Sequence, residues 1–293
     1  VLDHFNLSLE KGDVLGLIGP NGCGKTTSIM CMLSLLKYDS GNIEIFGKKD
    51  IQNEYDIKRK IGIVPQELAV FENLNVRENI DYFCSLYVSD KNERKRLVNE
   101  AIEFTGLQGY EKMLQKKLSG GLKRRLNIAC GISHKPELII LDEPTVAVDA
   151  QSRKFMLDGI KTLSQNGASI LYTTHYLDEA EYLCNKLSIM DNGKNILTGD
   201  MQTLINGVSV KEKITVVGFI KPEIISILEK QDEVIDVEAK ENQVTFNYSS
   251  DTGNIKKLIH LLDENNVVYE EIFSKKPKLE DIFLEMTGKE LRE

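Results

Sequence analysis

The sequence has no run of about 18 apolar residues, so nothing in it reads as a bilayer-spanning helix. Its start, Val1-Leu2-Asp3-His4, lacks the basic and apolar regions of a signal peptide. It also lacks an initiator methionine, so the expectation is that the true N-terminus lies upstream. Only five cysteines occur, Cys23, Cys31, Cys84, Cys130 and Cys184, and no two form a C-x-x-C pair. Scattered thiols fit a reducing cytosol and argue against a disulfide framework or a zinc site. Cys23 reads as a small residue that fits its loop rather than a reactive thiol. There is no basic excess either: the formal net charge of −8 argues against a general nucleic-acid binder. Charge does not exclude an anionic nucleotide, because screening over ~8 Å lets a local lysine and loop amides outweigh distant carboxylates. Disorder is excluded by 41% hydrophobic and 28% charged residues, and 293 residues suit one large domain plus a smaller one.

What is present centres on Gly19-Pro20-Asn21-Gly22-Cys23-Gly24-Lys25-Thr26-Thr27, which fits the phosphate-binding pattern G-x-x-x-x-G-K-[ST]. The apolar run Val14–Ile18 before it is short enough for a buried strand, and Thr27–Leu36 after it reads as a buried helix. Glycines let main-chain N–H groups turn around a phosphate, and a helix N-terminus adds partial positive charge. In this pattern Lys25 reaches the β- and γ-phosphates and the Thr26 hydroxyl ligates Mg2+.

Along the chain, Phe5, Leu7 and Leu9 alternate as a half-buried strand, and Ile43–Gly47 and Ile61–Val64 read as two more. From about Asn73 to Lys117 the pattern is helical, so residues 73–134 form a helical insertion in an α/β domain. Strands Leu138–Leu141, Ser169–Thr173, Leu187–Met190 and Ile196–Thr198 resume the alternation. A boundary is expected near Asn206-Gly207, giving domains 1–206 and 207–293. The second reads β-α-β-β-α-β, a small ferredoxin-like sandwich. It is followed by a helix with an apolar stripe at Leu279, Ile282, Phe283 and Met286, and its role reads as structural or regulatory.

A phosphate loop needs a carboxylate to hold Mg2+, and Asp142, at the end of Leu138–Leu141, supplies one. Glu143 follows at once. On a strand end neighbouring side chains point apart, so Asp142 faces the metal while Glu143 orients and polarises a water at the γ-phosphate. Ser119-Gly120-Gly121 stand at a helix start without bulk and offer N–H groups and a hydroxyl to a phosphate. His175 ends a strand parallel to that of Asp142. His4, His134 and His260 have no such context, and Lys123-Arg124-Arg125 reads as a solvated helix face that also eases phosphate charge.

This set resembles the nucleotide-binding subunit of an ATP-binding cassette (ABC) transporter, an α/β P-loop ATPase core with a β-subdomain and a helical insertion. Asp142-Glu143 is similar to the Walker B end with its catalytic glutamate, and Leu118-Ser119-Gly120-Gly121-Leu122 to the family signature. Gln66 matches the Q-loop, Asp149 the D-loop and His175 the switch histidine, all in the family's order over residues 1 to about 205. The resemblance implies ATP and Mg2+ as cofactors, with Thr26, Gln66 and Asp142 around the metal and Glu143 and His175 catalytic. It implies a head-to-tail pair in which one copy's loop and the other's Ser119–Gly121 enclose each ATP. It also implies a separate membrane permease and a place on the cytoplasmic face of the cell membrane. Leu122, Ala147 and Ala150 depart from the family's frequent Gln, Gly and Pro, and the family's adenine-stacking aromatic lies upstream of Val1. The small C-terminal sandwich resembles the drug-, antibiotic- and lipid-exporter branch. A soluble switch ATPase of the translation-factor or DNA-repair kind is the alternative, but it carries two cassettes or a coiled coil, neither present here. A GTP-binding regulator conflicts with Glu143 and the signature.

Overall fold

The computed structural model describes residues 1–49, 51–207, 209–231 and 233–287, and side chains in the last helix up to Phe283. The chain divides into two compact units, one over Val1–Met201 and one beginning at Gln202.

The first unit runs β1 (Val14–Ile18), α1 (Lys25–Met32), β2 (Glu44–Ile45), β3 (Lys48–Lys49), α2 (Tyr55–Lys58) and β4 (Ile61–Val64). Then come α3 (Val76–Ser85), α4 (Lys91–Phe104), α5 (Gly120–Ile132), β5 (Leu138–Asp142), α6 (Ala150–Gln165), β6 (Ser169–Thr174), α7 (Leu177–Leu183), β7 (Lys186–Asp191) and β8 (Lys194–Asp200). One six-stranded sheet has the order β4-β5-β6-β1-β7-β8, parallel except for the β7–β8 pair. Every residue of β1 and β6 is buried, as continuous apolar runs require of strands covered on both faces. The parallel strands therefore deliver their carboxyl ends to one edge, where an open α/β sheet binds ligands.

Helix starts follow local chemistry. Asn75 and Glu78 form a reciprocal capping box on α3; Asp90, Ser119 and Asp149 cap α4, α5 and α6 through their side-chain oxygens. Helices α3, α4 and α5 bury Val76, Ile80, Leu97, Ile102, Leu126 and their neighbours in a core of their own. Helix α5 also reaches the sheet. A Cβ on Gly62 would lie 2.4 Å from the Gly131 carbonyl oxygen, and one on Gly131 would lie 2.6 Å from the Ile63 oxygen. Glycine at both points lets α5 and β4 touch backbone to backbone.

Several elements differ from expectation. Phe5, Leu7 and Leu9 do alternate in burial and pack on the core beside α1, but they join no ladder. Helix α1 ends at Met32, with Leu33 as its cap and Ser34 at φ 57, four residues before the expected end. Of the expected strand Ile43–Gly47 only Glu44–Ile45 is extended, as β2, and it pairs with β3 just beyond in a short hairpin. The Asn206-Gly207 boundary expected from the sequence lies at the end of α8 (Met201–Gly207).

The second unit continues β9 (Glu212–Val217), α9 (Pro222–Leu228), β10 (Val234–Lys240), β11 (Gln243–Tyr248), α10 (Asn254–Glu264), β12 (Glu271–Lys275) and α11 (Leu279–Thr287). Its antiparallel sheet has the order β10-β11-β9-β12. Ile214, Val216, Val244, Phe246 and Tyr248 form one core with Leu228, Leu258 and Leu262 of the two helices. Strand β12 starts four residues later than the apolar run Val267–Phe273 suggested. Leu279, Ile282 and Phe283 are buried; Met286's side chain lies outside the described residues.

Candidate active site at the strand ends

The loop Gly19–Thr27 leaves β1 and enters α1. Gly19 is forced by packing: a Cβ there would lie 2.2 Å from the Met190 carbonyl oxygen and 2.7 Å from the Cys23 sulfur. Gly24, at φ 114, sits in a conformation closed to side chains, and from it the helix begins. Cys23 is buried, and desolvation pushes its thiol up, so it is a packing residue. Pro20, Asn21 and Gly22 form the outer turn of the loop, closed by the Cys23 N–H on the Pro20 carbonyl at 3.2 Å.

Lys25 is 5% exposed and its Nζ donates to the carbonyls of Gly19 at 2.7 Å and Pro20 at 3.2 Å. The same Nζ lies 3.2 Å from Glu143 Oε1. Thr26 Oγ1 donates to Asp142 Oδ2 at 2.8 Å. Gln66, just past β4, donates its amide to Glu143 Oε2 at 3.3 Å. His175 Nδ1 lies 3.2 Å from that oxygen but off hydrogen-bond alignment, so the contact does not fix its tautomer. The structure therefore gathers Lys25, Thr26, Gln66, Asp142, Glu143 and His175 at one sheet edge, although β6 separates the strand of Asp142 from β1.

Asp142 and Glu143 do diverge, but not by strand alternation. Asp142 is the last strand residue, whereas Glu143 has left the strand at φ 45, a left-handed conformation rare for a side-chain-bearing residue. Thr173 holds this turn: its hydroxyl donates to Asp142 Oδ1 at 2.6 Å and accepts the Glu143 N–H at 2.9 Å. Sequence reading missed Thr173. Its signal was a pair of adjacent hydroxyls, Thr173 and Thr174, at the end of a strand buried throughout.

Ser119, Gly120 and Gly121 lie elsewhere. Ser119 Oγ accepts the Leu122 N–H at 3.3 Å, and Ser119 and Gly120 are exposed at the start of α5. A Cβ on Gly121 would lie 2.7 Å from Ser152 Oγ and 3.3 Å from Asp149 Oδ2, so this helix start abuts the start of α6. Among the described residues no hydrogen bond or ion pair joins Ser119–Gly121 to Gly19–Thr27. The Lys123–Arg125 run is not a plain solvated face. Arg124 donates to the Gln66 carbonyl, and the Arg125 guanidinium lies 4.1 Å over the Phe155 ring. Asn127 adds a bond to the Pro65 carbonyl at 3.1 Å and accepts the Ala69 N–H at 3.1 Å, so α5 grips the main chain on both sides of Gln66.

A glycine-rich loop between a buried strand and a helix, with a lysine inside it and a threonine–aspartate pair beside it, defines a P-loop nucleoside-triphosphatase. The family model described as "ABC transporter" matches residues 2–146. Over its whole length the chain is 36% identical to the linearmycin resistance ATP-binding protein of Bacillus subtilis, covering 95% of that protein. It is 31% identical, again over its whole length, to the Nod factor export ATP-binding protein I of Burkholderia thailandensis, covering 94% of it. A solved ATP-binding subunit of an ABC transporter superposes with a TM-score of 0.64 at 26% identity, over 70% of this chain and 86% of that one. The chain belongs to the ATP-binding proteins of the ABC transporter family and is an ATP-binding, ATP-hydrolysing cassette. Subunits of this family dimerise and work with membrane permeases. Among the described residues no helix is long and apolar enough to cross a membrane.

Proposed function

We propose that this cassette powers export through a separate membrane permease by closing head to tail with a second copy around ATP. The gathering of Lys25, Gln66 and His175 around Glu143 carries the reading. The relatives named for linearmycin resistance and Nod factor export support the direction of transport. In this reading the amides of Gly19–Thr27 cradle the phosphates, with Lys25 on the β- and γ-phosphates. Ser119 and Gly120, exposed at the start of α5, and Gly121 behind them cap the γ-phosphate held by the other copy.

The donor set suits Mg2+. Thr26 Oγ1 and Asp142 Oδ2 are a hard-oxygen pair, the Gln66 amide reaches the adjoining Glu143, and Mg2+ takes few protein oxygens while water and phosphate fill the rest. Bound there it would neutralise phosphate charge. Glu143, held by Lys25 and Gln66, orients and polarises the attacking water, and His175 stands beside it toward the γ-phosphate. Residues 1–206 act as the ATPase, 207–293 as an accessory regulatory domain. The site of action is the cytoplasmic face of the cell membrane, and nucleic acid is not a partner.

The test is Glu143→Gln. Losing the base is expected to lower kcat by about 10²- to 10⁴-fold while ATP still binds, so that an ATP-loaded dimer accumulates in size-exclusion chromatography. A variant that binds ATP yet never dimerises, or that hydrolyses at the wild-type rate, would sink the assignment.

A further inference from the structure

Behind the site lies a second buried carboxylate to which the mechanism above gives no task. Glu179, in α7, is fully buried. Its Oε2 accepts three hydroxyls at once: Tyr172 Oη at 2.8 Å, Thr145 Oγ1 at 2.9 Å and Thr174 Oγ1 at 3.0 Å. An ionised carboxylate only accepts, so all three O–H groups point inward and their rotors are fixed. Thr174 Oγ1 in turn accepts the Tyr176 N–H at 2.9 Å, which closes the chain around His175 on both sides. Thr145 lies two residues past Glu143, in the turn that leads to Ala147 and Asp149. The balancing charge is Arg153, on α6, whose Nε lies 3.5 Å from Glu179 Oε1. That guanidinium sits 4.6 Å over the Tyr176 ring, and the Tyr176 ring is 4.2 Å from that of His175.

We propose that Glu179 is a positioning residue that holds the Glu143–Asp149 turn and His175 in register across the end of β6. Its side-chain hydrogen bonds go to these three hydroxyls, so it acts on the reacting groups only through other residues. Three donors on one oxygen, two from β6 and one from the Glu143–Asp149 turn, make a rigid joint, because displacing either segment orphans a buried hydroxyl. Thr145 belongs to the turn capping α6, which abuts Ser119–Gly121, so the joint ties His175 in one site to the surface offered to the other copy. The proposal rests on the reading of Glu143 and His175 given above.

The experiment compares Glu179→Ala, Glu179→Gln and the milder Thr145→Val with wild type in steady-state ATPase assays on the full-length protein, well below each variant's melting temperature. Glu179→Ala is expected to lower kcat by about 10- to 100-fold with KM for ATP within about twofold. Glu179→Gln keeps one acceptor oxygen for the hydroxyls but turns an amide N–H toward Arg153, so partial rescue is expected, about 3- to 10-fold below wild type. Thr145→Val, which removes one of the three donors, is expected to lose about 2- to 5-fold. In the Glu143→Gln background, ATP stoichiometry should stay at one per chain with Glu179→Ala, and the His175 ring resonances should shift. Wild-type kcat in both Glu179→Gln and Thr145→Val would overturn the proposal, as would a loss of ATP stoichiometry that accounts for the lost rate. Were Glu143→Gln itself fully active, the base assignment would fall. Reduced kcat in Glu179→Ala would then still assign the joint to His175, and an unaltered rate would remove it too.

Discussion

The two glycine-bearing helix starts of this chain, at α1 and α5, are built in opposite ways. At Gly19–Thr27 the two side chains aimed at phosphate and metal have partners within the chain: Lys25 on two carbonyls and Glu143, Thr26 on Asp142. At Ser119–Gly121 the one side-chain bond is a helix cap, and the rest of the surface is main chain. The first end holds its lysine buried at 5% exposure and is chemically armed. The second is exposed and held from behind, by Gly121 against Ser152 and by the glycine contact between α5 and β4. In the proposed dimer this braced helix start is the surface that meets the other copy, and an isologous two-fold pairing sets each copy's loop against the other's helix start.

The strongest way to break that comparison is complementation. Lys25→Ala removes the buried cation and is expected to weaken ATP binding at least about 100-fold, roughly 3 kcal/mol. Gly120→Asp puts a carboxylate where the γ-phosphate of the other copy would lie. A Cβ there meets only the Ala147 oxygen at 4.0 Å, so the chain should fold normally. Each variant alone should be inactive. Mixed in equal amounts, half the dimers carry one intact loop facing one intact signature, so about one quarter of wild-type activity is expected to return. ATPase titration of the mixture checks it; no recovery would mean that the two ends do not share a site.

A smaller effect separates the ends by pH. His134 follows α5, stacked on Tyr87 at 3.9 Å with Nε2 3.1 Å from the Ile61 carbonyl oxygen. Burial drives its pKa down from 6.5 to about 4. The folded state therefore stays neutral where the unfolded chain binds a proton, so stability falls as pH drops from 6.5 and the loss is complete near pH 4. The loss is at most about 3 kcal/mol. Urea melts of wild type and His134→Gln between pH 7 and 5 should show the shallower slope in the variant, whereas identical slopes would contradict a buried neutral imidazole.

How much of this was readable in advance follows the same divide. The loop, Gln66, Asp142, Glu143 and His175 were legible because each is a residue type at a fixed place on a strand end, and strand ends are marked by apolar runs. The sheet order was not legible: β6 lies between β1 and the strand of Asp142, and no local pattern marks it there. Thr173, marked only by a hydroxyl in a buried strand, and Glu179, not marked at all, were missed for a different reason. Their roles come from hydrogen bonds that cross between strands and helices, and no local pattern encodes those. Arg124 and Arg125 show the limit of charge patterns: three adjacent basic residues read as solvated, yet a carbonyl and an aromatic ring engage two of them.

The smallest effect expected lies in the turn between the two ends. Ala147 sits at φ 60, where a Cβ costs about 1 kcal/mol that glycine avoids. Its carbonyl is the closest atom to the open position on Gly120, so the turn lies against the signature helix. Ala147→Gly relieves that strain but frees the unfolded chain, and the two effects oppose each other. The expected net change is a gain below about 1 kcal/mol, seen as a small rise in the urea midpoint. The same substitution loosens the segment between Glu143 and Asp149, which Thr145 anchors to Glu179 at one point only. A more stable protein with a slightly lower kcat is therefore the expected pair of outcomes. A gain in both would show that the left-handed alanine is residual strain with no part in aligning the turn.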